Sequence, residues 1–530
     1  MRVKFLLLAL GVLGAAVALS ACGSSVNERI TTGEYVREPP EVEDWPLGGR
    51  DRDNTRFATQ GEIDTGNVDD LGEAWSIDLG PDQAPMESSP IVIGKEVFVT
   101  TATDQILAID GATGHVEWTY SPGSTGATTN HGVAAEGGRL FLLTSAGELQ
   151  AVGQESGKLL WSATVAGPST GTPGSMAPAT YDGKVFVGGS ASGRGFVAAY
   201  DQRTGKQLWR YFTVPKPGTR WVPQGGGGGT VYISPTVEPG TGALYVATGN
   251  PRPATVGVKT RGKDLYTASL LALDAVNGEL LWYHQEQAHD IFDYDAASPA
   301  LLFRAEIEGR RRRGIAETSK SGMLFFLDAR TGKTLFDSVP IVKRDHRRPS
   351  REGSLECPGA IGDSWYAPSA YSPDTQSVYV SGVSICTLLK VEVANGKKTF
   401  RVLPKGTTEA GTLLGVSTIS GEAIWKRTTP TPMAGGATAT DGNLVFAGDQ
   451  SGILYAFDAE NGQVKWQGDL NLPVGTAPVV YTVDGTEYVL CTIGGAALTP
   501  TEKTAGAGAK VVALKLGGKE LPTGPGLKSR

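Results

Sequence analysis

One short pattern recurs along the chain: a small apolar strand end, then in most copies Asp, a turn closing on Gly, and an aromatic residue four places beyond that Gly. AIDGATGHVEW ends at Trp118, AVGQESGKLLW at Trp161, AYDQRTGKQLW at Trp209, ALDAVNGELLW at Trp282 and AFDAENGQVKW at Trp466. FLDARTGKTLF carries Phe336 at the same place, VSTISGEAIW is a shorter copy ending at Trp425, and EAWSIDL around Trp75 is a second half without its first. An Asp or Asn turn closed by Gly between two β-rich runs is a hairpin signal. A large ring at one fixed place in each copy suits a wedge between neighbouring sheets. A four-stranded sheet cannot bury both faces alone, so such copies stack radially, and eight copies predict an all-β, eight-bladed β-propeller with four antiparallel strands per blade.

The spacing supports this and marks exceptions. Trp75, Trp118 and Trp161 are 43 residues apart and Trp209 follows after 48, which suits four short strands per blade. The later gaps of 73, 54 and 89 predict long loops, and long loops in a compact domain usually carry function. The orphan half at Trp75 needs a partner strand, and VVALKL at 511–516 supplies one from the other end of the chain. Pairing the two closes the ring and removes exposed sheet edges. The 72 glycines and 31 prolines are what many tight turns require.

Ahead of the repeats, residues 1–21 combine Arg2 and Lys4 with an apolar run from Phe5 to Leu19, which reads as an export signal too short to span a membrane. It ends in Leu19-Ser20-Ala21-Cys22, resembling a bacterial lipobox, so Cys22 is the expected lipidation site. The expected organisation is a lipoprotein signal peptide (1–21), a tether (22–44), the propeller (45–516) and a flexible C-terminal tail (517–530), with the protein exported and lipid-anchored at the cell envelope. In an oxidising compartment Cys357 and Cys386 could close a disulfide, leaving Cys491 free in an apolar strand. No CxxC or CxxCH occurs, so this sequence carries neither a c-type haem motif nor a zinc ribbon. With 48 basic against 55 acidic residues and a net charge of -7, nucleic acid is not an expected partner.

Segments between the blades narrow the reading further. DWPLGGRDRDNTRFA (44–58), VDDLGEAWSIDLG (68–80), GGGGGTVY (225–232), LYVATGN (244–250), KDLYTASLLALD (263–274), FDYDAASP (292–299), SKSGMLFFLD (319–328) and TPMAGGATATDGNLVFAG (431–448) follow one another in the order found in quinoprotein alcohol and methanol dehydrogenases, which the chain resembles over nearly all its mature length. The resemblance implies that a tricyclic orthoquinone, PQQ, lies in the propeller axis beside a cation, Ca2+ or a lanthanide, and that an Asp is the base in alcohol oxidation. It assigns Asp293, the first acid of FDYD, as catalytic base. It assigns Glu87, His131, Ser175, Tyr232, Lys320 and Trp365 to the cofactor, and Asn250, Asp293 and Asp295 to the metal. The residue types suit the chemistry: a quinone bearing carboxylates needs cationic and hydroxyl partners, a hard cation needs oxygen ligands, and alcohol oxidation needs a proton acceptor.

There are departures from the family pattern. TTNHGVA lacks the adjacent cysteine pair and puts His131 in the place of Arg, Tyr232 replaces a stacking Trp, and GGSASGRGF (188–196) lacks a glutamate metal ligand that Asp295 is expected to replace. Met433 and Ala434 stand where the family favours Trp and Asn, and Ser364 where it favours Asn. Blander readings stand beside the functional ones: Glu87 and Lys320 as a buried ion pair, Asn250 as a turn residue, Asp293 and Asp295 as a solvated loop, His131 as a hydrogen-bonded core histidine. Gly225 to Gly229 lack the helix start and Lys-Ser/Thr of a phosphate loop and read as close backbone packing. Arg310 to Arg313 read as the tip of a solvent-facing hairpin. The leading expectation is PQQ-dependent oxidation of an alcohol or related hydroxyl compound outside the cytoplasm, with electrons passed to a separate acceptor such as a cytochrome c. The second is a non-catalytic propeller lipoprotein acting as an envelope scaffold.

Overall fold

A computed structural model of the chain describes residues 44–123, 129–167, 171–216, 227–252, 264–345, 350–359, 362, 367–394, 397–403, 410–494, 508–524 and 527. The signal peptide, the tether up to residue 43, Cys22, Ser364 and Trp365 lie outside the described residues. Among the described residues eight blades are built on four antiparallel strands each: six are four-stranded sheets, one gains Phe57–Ala58 as a parallel fifth strand, and one gains Gly171–Pro173, Gly227–Gly228 and Pro251–Arg252. Seven are local in sequence: the first blade takes Ile91–Ile93, Glu96–Thr100, Ile106–Asp110 and Val116–Tyr120, and the others repeat that meander up to Ala437–Thr440 through Val464–Asp469. The eighth joins the ends of the chain. Leu71–Gly80 pairs with Ala509–Leu516, with Trp75 opposite Ala513 and Ile77 opposite Val511, as the orphan half-repeat predicted.

The recurring turn explains how blades hold each other. In the first blade the Asp110 carboxylate accepts from the Ala112 and Thr113 amides, Asp201 and Asp458 repeat both bonds, and Asp328 accepts from the Thr331 amide. The glycine closing the turn sits at positive φ and packs on the Trp of the preceding blade: Gly278, at φ 77, lies so close to Trp209 that a Cβ would come within 2.6 Å of the ring. Glycine is required twice over, for its backbone conformation and for its missing side chain. The indole nitrogens of Trp75, Trp161, Trp209, Trp282 and Trp425 donate to the carbonyls of Gly111, Gln202, Ala275, Ala329 and Ala459 in the next blade, at 2.9–3.2 Å. In five blades a ring from the second strand backs the Trp: Phe98, Phe141, Phe186, Tyr245 and Tyr379 stand 5.7–6.0 Å from Trp118, Trp161, Trp209, Trp282 and Trp425. Such pairs add about 0.5–1.5 kcal/mol beyond area burial.

The N-terminal segment 44–58 crosses one end of the shaft and is bonded to most of the ring. Trp45 exchanges backbone bonds with Val92, Pro46 accepts from Ala135, Asp53 from Leu302, Thr55 from Tyr371 and Arg56 from Ala439. Arg52 pairs with Glu136 at 2.7 Å, and the buried Arg56 guanidinium donates to the carbonyls of Ala477 and Pro478. Arg313 meets both Asp53 and Glu238. This corrects the expectation for the arginine run. Glu308 and Gly309 form the hairpin tip, Arg310 and Arg311 are exposed, but Arg313 is 3 % exposed, because the strand's alternation points it inward at the two acids.

The long gaps hold inserted structure. Ser354–Glu356, Thr387–Ala394 and Lys397–Leu403 form a separate three-stranded sheet over the sixth blade, beside a Cys357–Cys386 disulfide with Cα atoms 4.4 Å apart. Cys491 is a free, buried thiol in the eighth blade, where burial pushes it up to about 12. The tail expected to be flexible is docked over its described residues: Lys519 exchanges backbone bonds with Glu73, and Asp469 and Gln467 donate to Pro522 and Thr523. It covers the otherwise open edge of an outer strand, which is how exposed edges are commonly blunted.

Candidate functional site

Antiparallel blades put the first-to-second and third-to-fourth turns at one end of the ring, and the second-to-third turns and the entries to each inner strand at the other. The Asp/Gly turns and the N-terminal segment occupy the first end. At the second, Glu87, His131, Ser175 and Tyr232 each lie three or four residues ahead of the inner strands beginning at Ile91, Ala134, Ala179 and Thr236. Equal position in successive repeats brings them around one axis. Asp293 and Asp295 lead into the inner strand of the fifth blade, Lys320 sits in the turn between its second and third strands, and Asn250 follows the second strand of the fourth.

On one side of the axis the carboxylates, the amide and the lysine form a single cluster. Lys320 Nζ lies 2.6 Å from Asp295 Oδ2, with the two side chains 12 % and 7 % exposed. The same carboxylate accepts from the Tyr232 hydroxyl at 2.8 Å and, through Oδ1, from the Asn250 amide at 2.6 Å. Asn250 Nδ2 donates to Asp293 Oδ1 at 2.6 Å. Gly249 is where the backbone comes closest, since a Cβ there would stand 3.1 Å from Asp295 Oδ1. Lys320 is thus the ion-pair partner of Asp295; the lysine–Glu87 pair entertained from sequence is replaced by one closer in the fold.

The electrostatics follow from burial. Burial raises the Asp293 carboxyl above the ordinary range, Asp295 adds to the rise, and Lys320 and Arg252 oppose it. Burial alone would lower the Lys320 amine, but Asp295, Asp293 and Asp290 outweigh it and hold the amine above its usual value, so it is charged at neutral pH. Tyr232 is lifted well above the phenol range by burial and by Asp295, and stays a hydrogen-bond donor. Asp293 sits at φ 72, in the left-handed region, and is held there by a residue the sequence reading passed over. Asp290 accepts from the amides of Phe292 at 3.1 Å and of Asp293 and Tyr294 at 3.0 Å. Its signal was readable: an Asp two to four residues ahead of the turn it closes is a common local clamp.

On the other side, His131 Nε2 stands 3.8 Å from Glu87 Oε2. The His131 amide donates to the Ser175 carbonyl at 2.8 Å and its carbonyl accepts from Ser89, which ties the first three blades together here. Glu87 and His131 line the axial cavity together with Ile233 and Ser234, the residues following Tyr232, and with Gly435 after the buried Met433 and Ala434. The cavity reaches down to Asp51, Arg52 and Asn54 of the N-terminal segment. In the glycine run, the described Gly227 and Gly228 pair with Arg252 and Pro251, a close backbone approach.

Among the described residues no group of three or more His, Cys, Asp or Glu side chains is placed to hold a metal ion. A cation at this site therefore requires the Asn250 amide oxygen beside the carboxylates of Asp293 and Asp295, and oxygens from the organic ligand. All are hard donors, of the kind Ca2+ and lanthanide ions take. The residues fit such a group, with a single lysine lying against the acids.

Known proteins share this fold. The chain is 31% identical over 91% of its length to a quinohemoprotein alcohol dehydrogenase of Comamonas testosteroni, covering 78% of that protein. It is 30% identical to quinohemoprotein alcohol dehydrogenase ADH IIB of Pseudomonas putida, over 85% of this chain and 73% of the other. The crystal structure of quinohemoprotein alcohol dehydrogenase from Comamonas testosteroni superposes with a TM-score of 0.82 at 29% identity, over 94% of this chain and 84% of that one. A europium-containing methanol dehydrogenase shares the fold, with a TM-score of 0.80 at 22% identity over 90% of this chain and 99% of that one. The family described as glucose/ethanol/alcohol dehydrogenase, beta-propeller domain, matches residues 45–347 and 384–489, and the chain belongs to this PQQ family of eight-bladed dehydrogenase propellers.

Proposed function

We propose that the protein oxidises a small alcohol with bound PQQ and a cation, outside the cytoplasm, anchored by lipid at Cys22, and that the electrons pass to a separate carrier such as a cytochrome c. The observation that carries the reaction is the cluster of Asp293, Asn250, Asp295, Lys320 and Tyr232, joined by hydrogen bonds and an ion pair at the end of the ring where the inner strands begin. PQQ, when bound, supplies a two-electron acceptor and the cation a Lewis acid. Asp293 takes the hydroxyl proton of the alcohol, and a carboxyl raised by burial is a stronger base than a solvated one. Asn250 fixes the orientation of Asp293, and Asp290 fixes its backbone. Lys320, charged and paired with Asp295, holds positive charge where negative charge develops on the cofactor oxygens.

Asn250, Asp293 and Asp295 would hold Ca2+ or a lanthanide ion; Glu87, His131, Ser175, Tyr232, Lys320 and Trp365 would contact the quinone. Export and anchoring are supported by the basic, apolar and lipobox pattern of residues 1–22. Full-length protein incubated with PQQ and either Ca2+ or La3+ should retain the quinone through gel filtration and reduce a dye in the presence of alcohols. Asp293→Ala should abolish dye reduction. Folded protein that retains no quinone with either metal would overturn the proposal.

A further inference from the structure

The inserted sheet meets the acid cluster through the chain around its disulfide. Glu356 pairs with Thr387 at the end of that sheet, and the adjoining residues Cys357 and Cys386 are covalently joined. Cys386 lies between the sixth-blade strand Ser377–Ser384 and the inserted strand Thr387–Ala394. Beyond the bond, the Gly359 amide donates to the Ile385 carbonyl and the Gly362 amide to the Gly359 carbonyl, both at 2.8 Å. The short segment 357–362 then touches the cluster from two directions. The Tyr294 hydroxyl, on the residue between Asp293 and Asp295, donates to the Pro358 carbonyl at 2.5 Å, and Tyr294 is 1 % exposed. Burial lifts this phenol above its ordinary range, so it keeps its proton and remains a donor. Lys320 is roofed by Gly362, at φ 81, where a Cβ would stand 2.6 Å from the Cβ and Cγ of the lysine. Pro358 packs over Gly322, where a Cβ would stand 3.3 Å from the proline Cγ.

We propose that the disulfide-closed segment 357–362 is a latch on the acid side of the site, and that Tyr294 is the positioning residue through which it holds Asp293 and Asp295. The effect on turnover rests on the alcohol oxidation proposed above; the latch itself does not. Asp293 sits at φ 72, a backbone conformation that persists in a non-glycine residue only where the surroundings impose it. Asp290 imposes it from within the same loop, through the amides of Asp293 and Tyr294. The bonds inside the cluster, Asn250 to Asp293 and Lys320 to Asp295, join the very groups that a cation and a quinone would engage. The Tyr294 bond competes with no ligand, and it ties the loop to a different blade. Its acceptor is fixed only while the disulfide holds the ends of an excursion of 29 residues with their Cα atoms 4.4 Å apart.

The latch opens by thiol–disulfide exchange with a dithiol reductant. One thiolate of the reductant attacks a sulfur of the bond, the S–S bond breaks, and the second thiol displaces the mixed disulfide. Cys357 and Cys386 each end as a thiol, two electrons having passed to them, and the dithiol ends as its own disulfide. Oxidation reverses the step. A compartment that keeps thiols reduced therefore leaves the latch open, and an oxidising one closes it, so the site is completed where the chain is exported. Tyr294 touches neither substrate nor cofactor in this scheme; it acts through the backbone it shares with Asp293 and Asp295.

Amide hydrogen exchange of the cofactor-free protein, read by mass spectrometry with and without dithiothreitol, tests the latch directly. The expected result is exchange about tenfold faster in peptides covering 290–296 and 357–362 once the bond is open, with peptides of the first blade unchanged. Cys357→Ala combined with Cys386→Ala should give the same pattern without reductant and no further response to it. Tyr294→Phe should speed exchange at 290–296 by about fivefold, the change that one lost hydrogen bond implies, and leave 377–384 as in wild type. Should the double variant fail to fold, reduced wild type and Tyr294→Phe decide. Unchanged exchange at 290–296 with the bond open would overturn the latch, and so would loosening spread evenly through the blades. With PQQ and metal bound, Tyr294→Phe should lower kcat about tenfold with KM for the alcohol within about twofold, and dithiothreitol should lower wild-type kcat reversibly. An unchanged kcat in a variant whose loop exchanges faster would overturn the positioning role. If wild-type protein oxidises no alcohol, the proposed function falls while the exchange result still decides the latch.

Discussion

Replacing Asp290 tests both how the catalytic loop is held and what burying its clamp requires. The carboxylate is 4 % exposed and receives three amides, two of them on one oxygen. In Asp290→Ala all three amides lose their acceptor, at about 1–3 kcal/mol for each that stays buried. In Asp290→Asn the amide oxygen can still serve Asp293 and Tyr294, while the Phe292 amide meets an NH2 group, so about 1–2 kcal/mol is lost at pH 5. The pH dependence has a definite sign. Burial, reinforced by Asp295 and Asp293 and opposed by the amide bonds, lifts this carboxyl from 3.8 to about 7. The folded chain therefore binds more protons than the unfolded chain between these values, and wild-type stability falls as pH rises through the window. Three units correspond to about 4 kcal/mol, an upper value once relaxation and water entry are allowed.

Asn carries no such penalty, so the Asp290→Asn deficit should shrink from pH 5 to pH 8 and vanish or reverse. Urea unfolding of the cofactor-free protein, followed by tryptophan fluorescence, reads it directly. Because Asp293 loses its enforced backbone geometry, kcat of the reconstituted protein should fall by about 100-fold in Asp290→Ala. A kcat equal to wild type would refute the clamp, and a deficit constant across pH would refute the burial-raised carboxyl.

Other substitutions probe the ring itself. Arg313→Met leaves Glu238 and Asp53 without their cation, and should cost about 3–5 kcal/mol in urea unfolding while leaving kcat of the folded fraction unchanged, since Arg313 lies at the end of the shaft away from Asp293. Gly278→Ala forces a Cβ at φ 77 against the Trp209 ring and should destabilise by at least about 1–2 kcal/mol, whereas Gly309→Ala, with nothing within 4 Å, should show only the backbone part of that loss. Cys386→Ser opens a loop whose ends are 29 residues apart; about 3 kcal/mol of stability should go, and the variant should no longer respond to reductant as wild type does.

The repeat register was legible because its physics is local. An Asp that caps a turn, a glycine at positive φ and a ring four residues later act within a dozen residues, and a sheet with two apolar faces leaves stacking as the outcome. Even ring closure could be read, from one unmatched half-repeat at Trp75 and one spare strand at Val511. Glu87, His131, Ser175 and Tyr232 were named through the family resemblance, and the structure sets them at equal offsets ahead of successive inner strands.

Partner choice was not legible. Whether Lys320 meets Glu87 or Asp295, whether Arg313 faces water or Asp53 and Glu238, and whether residues after Leu516 hang free or cover an edge depend on distances between segments far apart in sequence. Local propensity and periodicity determine the sheets and their order. Charge pairing falls steeply with distance and depends on burial, so only the folded shaft decides which acids stand together and which of them a lysine neutralises.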